Sequence, residues 1–163
     1  MVMSNSQDLL DRIRDLRTYD QKKGYDVRYN YKMTDMGAAM GLCQLEQLPD
    51  FIRKRKKIAG HYYQTFDRFP VDLPPRDEGH TYYRFVIKLK EDAKPIIHAL
   101  ESRGIACALP VYLPIHRYLE WKGYPMTEEI WKKSLSIPIY PTLKEEEIRR
   151  TVHEVSEILG VCR

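Results

Sequence analysis

RYNYKMTDMGAAMG, residues 28–41, is the stretch on which the reading of this chain turns. Tyr29, Asn30 and Tyr31 place rings and an amide directly ahead of Thr34 and Asp35. Thr34 is an N-cap residue type and Asp35 suits the positive end of a helix, so the pattern predicts a helix over 35–47. Gly37, Ala38, Ala39 and Gly41 leave part of that helix almost bare. Each interior glycine costs roughly 1 kcal/mol relative to alanine. Two such costs predict a close neighbour, whether another helix, a second subunit or a ligand. On residue chemistry alone, Asn30 either closes a turn or offers its amide to a partner.

Upstream, MVMS reads as a short strand. Asn5 is positioned to cap a helix over 7–18, whose Leu9, Leu10, Ile13 and Leu16 share one face. YDQKKGYDVRYNY, 19–31, reads as an exposed loop around Gly24. Downstream, Pro49 is expected to restart the chain at the first turn of a second helix, 50–67. Its apolar stripe runs from Phe51 and Ile52 to Tyr62, Tyr63 and Phe66. Cys43, with Met36, Ala39 and Met40, is expected on an inward face.

PVDLPPRDEGHT, 70–81, is a proline-rich connector. In YYRFVIKLK, 82–90, Tyr83, Phe85, Ile87 and Leu89 alternate with Tyr82, Arg84, Val86 and Lys88, the pattern of a half-buried strand. Asp92 caps a helix over 93–103 that Gly104 ends. ACALPVY, 106–112, reads as a strand broken by Pro110 and Pro114, and a short helix covers 127–133. SLSIPIY, 134–140, is a further strand. Thr142 and Glu145 have capping-box spacing for a last helix, 143–159, stopped by Gly160. The second part thus reads strand–helix–strand–helix–strand–helix, an α/β layer with helices on one face of a sheet.

The bulk numbers narrow the function. The 163 residues are 43% hydrophobic and 31% charged, ordinary values for a globular domain. A net charge of +4 does not by itself call for nucleic acid. No apolar run is long enough for a transmembrane helix, and MVMSNSQDLL lacks the pattern of a secretory signal. Cys43, Cys107 and Cys162 have no paired or metal-like spacing. They argue for a reducing compartment and against a zinc site, so a cytoplasmic location with no metal is expected. Arg53 to Lys57, RKRKK, points all around a helix axis and reads as solvated surface rather than a polyanion stripe.

Together RYNYKMTDMGAAMGLCQLEQLPDFIRKRKKIAGHYYQTF, HTYYRFVIKL, PVYLPIH and SLSIPIYPTLKEEEI resemble, in that order, the DegT/DnrJ/EryC1/StrS family of pyridoxal-phosphate-dependent aminotransferases of nucleotide-linked keto-sugars. The resemblance covers essentially the whole chain. It implies an α/β fold: the C-terminal small domain of an aspartate-aminotransferase-like, fold type I enzyme, without the core of the large domain. Residues 1–48 would be a remnant of the large cofactor-binding domain, and 49–163 the small domain.

The resemblance further implies that Asn30 reaches across a dimer interface to the cofactor phosphate of the neighbouring subunit, with Lys32 in support. His80, Tyr82, Arg84, Tyr112 and His116 would face the nucleotide-sugar substrate. Tyr82 and Arg84 have a second reading, as the solvent face of a half-buried strand. Many family members carry His or Arg near position 112, where this chain has Tyr, and some have Arg where Leu109 stands. Those departures leave the sugar open.

No lysine here stands in the family's Schiff-base context, so no catalytic residue is assigned, and the chain is expected to be inactive alone. Two readings follow. In one, the chain is the C-terminal part of a sugar aminotransferase and works as a dimer or with a lysine-bearing N-terminal half. In the other, it is a non-catalytic oligomeric binding or scaffold module of the same descent.

Overall fold

The structure, a computed structural model, describes residues 2–161. The chain divides into two compact units between Gln47 and Leu48.

In the first unit, residues 2–4 form no strand, because no neighbouring strand supplies backbone partners there. Helix α1 (Gln7–Leu16) follows. Its cap is Ser6 rather than the expected Asn5, with the Ser6 hydroxyl accepting from the Leu9 amide at 3.3 Å. Asp8 sits in the first turn, where its charge complements the exposed N–H groups. The loop behind α1 folds back through Asp15, whose carboxylate gathers Lys22 at 2.7 Å and Arg28 at 3.2 Å. These partners, Lys22 first, hold the Asp15 carboxyl below its ordinary range. The Tyr29 amide donates to the Leu16 carbonyl at 2.7 Å, which pins the aromatic segment to the end of α1.

No described residue of this unit is buried. Cys43, Met36 and Met40 are therefore exposed rather than part of a core. The spacing reads their shared face correctly, but among the described residues nothing covers it.

Helix α2 (Asp35–Phe66) is one continuous element, in place of the two expected helices. Thr34 caps it, its hydroxyl accepting from the Gly37 amide at 3.1 Å. Pro49 lies inside the helix instead of opening a new one. A proline there forgoes one helical hydrogen bond and disturbs the preceding turn, at about 3 kcal/mol. The strong helix formers on either side and the buried face of the C-terminal half offset that cost.

The second unit is built on that half. Ile58, Ala59, Tyr62, Tyr63 and Phe66 are buried at helical spacing. They pack with Phe85 and Ile87 of β1 (Phe85–Lys88) and Leu135 and Ile137 of β2 (Ser134–Ile137). The two strands are antiparallel, with Phe85 opposite Ile137 and Ile87 opposite Leu135. Single bridges flank them, Asp72 to Lys88 and Ala108 to Ser136. The expected strand over 106–112 is reduced to that one bridge, because Pro110 ends any ladder it could join.

Helix α3 (Ala93–Ser102) is capped by Asp92 and ends at Gly104, whose φ of 77° few other residues tolerate. Helices α4 (Ile115–Tyr118) and α5 (Pro125–Lys133) follow. The last helix, α6 (Glu145–Val161), runs through Gly160 rather than stopping before it. Its N-terminal contact is the Lys144 amide donating to the Glu147 carboxylate at 2.7 Å, in place of the predicted pairing of Thr142 with Glu145. Glu147 is the N3 residue of the helix as it begins, so the reach-back geometry of a capping box shifts with the start. Ile148, Val155, Ile158 and Leu159 of α6 complete the core. The whole is mixed α/β and mostly helical.

Candidate functional site

The segment that opens the first unit's helix presents two of the candidate residues. Tyr29 and Tyr31 stack with ring centroids 5.1 Å apart and planes 4° from parallel. Residues i and i+2 of an extended segment share one side, which leaves Asn30 and Lys32 on the other. Both are exposed. A neutral amide and an ammonium group suit a phosphate. They fit the phosphate end of pyridoxal phosphate and offer nothing for its ring.

In the second unit the five substrate candidates fall in separate places. Tyr82 is only 6% exposed, which corrects its reading as a solvent-facing strand residue. Its φ is 48°, left-handed backbone that a bulky residue seldom adopts. That turn breaks the alternation ahead of β1. Tyr82 swings into the core and Tyr83, 73% exposed, swings out. The Tyr82 amide donates to His80 Nδ1 at 3.0 Å, and the two rings lie 4.3 Å apart. Tyr63 meets Tyr82 hydroxyl to hydroxyl at 3.4 Å, and burial pushes the Tyr63 phenol upward. His80 and Tyr82 thus form one packed cluster around the start of β1.

Arg84 lies elsewhere. It alternates with the inward Phe85 and lines a separate cleft of about 330 Å³. Ser136 of β2 also lines that cleft, and the small Ala106 and Ala108 leave it open. Tyr83 and Tyr140 add hydroxyls at its wall. Arg55 lines it too, although the sequence reading placed all of Arg53 to Lys57 on solvated surface. The signal was present: Arg55 precedes Ile58, Ala59 and Tyr62 by three, four and seven positions, so it shares their inner face.

His116 belongs to a third place, an apolar groove of about 540 Å³ walled by Ile115, Trp121, Tyr124 and Trp131. His116 Nε2 lies 2.8 Å from the Glu128 carboxylate, and its ring stacks on Tyr124 at 5.1 Å. Arg117 grips the same carboxylate through two nitrogens, at 2.6 and 2.5 Å. The Arg117 bond first, and the His116 contact after it, hold the Glu128 carboxyl down at about 2. Trp131 Nε1 donates to the Val111 carbonyl at 2.8 Å and anchors the loop. Tyr112, one residue on, is 87% exposed and lines neither cavity. Glu128 was missed in the sequence because nothing in PMTEEIWKK distinguishes it from its neighbour Glu129.

The model of the DegT/DnrJ/EryC1/StrS aminotransferase family matches residues 1–156. The chain belongs to that family. Its curated relatives include a dTDP-3-amino-3,6-dideoxy-alpha-D-galactopyranose transaminase of Aneurinibacillus thermoaerophilus, 27% identical over 95% of this chain and 45% of that protein. A GDP-perosamine synthase of Escherichia coli O157:H7 is 29% identical over 96% of this chain and 46% of its own length. Among solved structures, the aminotransferase TlmJ of Streptoalloteichus hindustanus superposes with a TM-score of 0.86 at 22% identity, covering 98% of this chain and 47% of that one. Helicobacter pylori PseC, an aminotransferase involved in the biosynthesis of pseudoaminic acid, gives 0.85 at 20% identity, covering 97% of this chain and 48% of that one. The chain spans about half the length of the relatives it matches. Among the described residues, no helix is long and apolar enough to cross a membrane.

Proposed function

We propose that these 163 residues act as the C-terminal part of a pyridoxal-phosphate-dependent aminotransferase of nucleotide-linked keto-sugars. The observation that carries this reading is the family match over residues 1–156 together with Asn30 and Lys32 displayed beside the stacked Tyr29–Tyr31 pair. Residues up to about 48 serve the cofactor side and those from about 49 the substrate side. Asn30 donates its amide to the cofactor phosphate of a neighbouring subunit, and Lys32 supplies charge there. Pyridoxal phosphate, when bound, supplies the electron sink for moving an amino group. Arg84 orients the substrate, while His80 and Tyr82 hold the backbone that presents it. His116 and Tyr112 lie on the loop that closes over the sugar.

The 163 residues are inactive alone, because a Schiff-base lysine must come from other residues. The exposed Met33, Met36, Met40 and Leu45 support a partner, either a second copy or a lysine-bearing half. The same exposed residues favour the second reading, a non-catalytic oligomeric module. The family's chemistry suits a cytoplasmic location.

Co-expression separates the two. The chain is produced with the N-terminal half of a family relative, and amino transfer from glutamate to a nucleotide-linked keto-sugar is assayed. The aminotransferase reading expects no activity from the chain alone, activity from the pair, and weakened cofactor retention in Asn30→Ala. A stable oligomer that neither recruits the lysine half nor gains activity would leave the module reading in its place.

A further inference from the structure

We propose that Arg55 and Arg84 form an oxyanion-binding pair that takes a phosphate or carboxylate group of a small metabolite in the cleft beside β2. Arg55 Nε is shut off from solvent and, among the described residues, has no hydrogen-bond partner. A guanidinium stays protonated at any ordinary pH, so this donor is both charged and unmet. An unpaired buried donor of that kind is unfavourable unless something arrives to accept from it.

The neighbourhood says what should arrive. Arg12, Arg28, Arg103 and Arg117 each meet a carboxylate of this chain. Among the described residues, Arg55 and Arg84 meet none, and no carboxylate lines their cleft. Arg84 lies with its guanidinium carbon 5.8 Å from the centre of the Tyr83 ring, a contact that orients the charge without neutralising it. Tyr83, Ser136 and Tyr140 add hydroxyl donors to the same walls. Two planar cationic forks, neutral donors and no acid match a planar or tetrahedral oxyanion, which arginine binds through paired hydrogen bonds. The cleft, about 330 Å³, has room for such a group and part of the molecule that bears it.

Two sources share this chemistry: the phosphate of a nucleotide-linked substrate and the carboxylate of an amino donor. Naming those sources rests on the proposed function, whereas the arginine pair itself does not.

The test needs neither cofactor nor amino transfer, so its failure is distinct from failure of that function. The full chain is titrated with inorganic phosphate and, separately, with glutamate, at constant ionic strength. Arginine Nε–H signals are followed by NMR. The expected result is saturable shifts of the Arg55 and Arg84 signals with at least one of the two probes, the tighter probe identifying the source. Arg55→Gln and Arg84→Gln should each weaken binding at least tenfold, and Arg53→Gln should leave it unchanged. Arg84 is exposed, so its variant keeps the fold even where Arg55→Gln does not, and the Arg55 signal is read in the parent chain. Absence of saturable shifts, equal shifts with chloride, or unchanged affinity in Arg84→Gln would overturn the pair.

Discussion

The Tyr62 hydroxyl donates to the Pro138 carbonyl across 2.5 Å. Tyr62 is fully buried on the inner face of α2, and Pro138 follows directly on β2 and walls the arginine cleft. The bond therefore holds the exit of the strand against the helix that carries Arg55. Tyr62→Phe keeps the ring and strands a carbonyl, which should cost about 1–3 kcal/mol. Urea unfolding would measure it. An unchanged midpoint would mean that the carbonyl finds another donor.

Glu128 makes a pH prediction. Its carboxyl sits at about 2 in the fold, chiefly through the Arg117 hydrogen bond, against 4.5 as the ordinary value. As pH falls, the unfolded chain takes up this proton first. The stabilising contribution is complete above pH 4.5 and disappears as pH drops toward 2. An NMR titration of the Glu128 carboxyl should show a midpoint well under 4.5. In Glu128→Gln, the acid sensitivity of the loop around His116 should flatten over the same range.

Thiol chemistry should separate two cysteines. Cys107 is buried, and desolvation pushes its thiol up to about 12, from an ordinary 9.0. Burial therefore leaves very little of the reactive thiolate at neutral pH. Cys43 is exposed. Alkylation followed by peptide mapping should find Cys43 modified rapidly and Cys107 only after unfolding. Equal rates in the native protein would contradict the burial of residue 107.

Gly104 tests the end of α3. At φ 77° a side chain is strained, and an added Cβ would meet Arg150 Nη2 at 3.1 Å. That same nitrogen donates to the Arg103 carbonyl at 2.7 Å. Gly104→Ala should therefore destabilise the second unit by about 1–2 kcal/mol, read by thermal or denaturant unfolding. A smaller effect would show that the turn can relax.

How far the sequence reached varies along the chain for physical reasons. Helix positions were legible wherever burial repeats at helical spacing, as in Ile58 to Phe66 and in α6. Pro49 was misread because a local rule, that proline opens helices, yields to the length of good helix on both sides. The face of β1 was legible from Phe85 onward and wrong at Tyr82, where a left-handed backbone turn reverses the alternation without leaving a glycine as its mark. Arg55 was hidden by its neighbours. Lys54, Lys56 and Lys57 are exposed, and composition alone treats the five basic residues as equals. His116 could be named from its loop, but the carboxylate that holds it comes from α5, and such a pairing is written only in three dimensions.

The register of β1 and β2 also bears on how the chain reaches this state. Lys88 pairs with Ser134, and everything between them, including α3, α4 and α5, must be looped out before the ladder can form. Closing so long a loop is paid in entropy before any strand contact rewards it. The helices can form within about a microsecond. The sheet cannot, and its closure is expected to limit the rate at which the second unit folds. The arginine cleft, lined by Ser136, is then expected to take shape together with that closure.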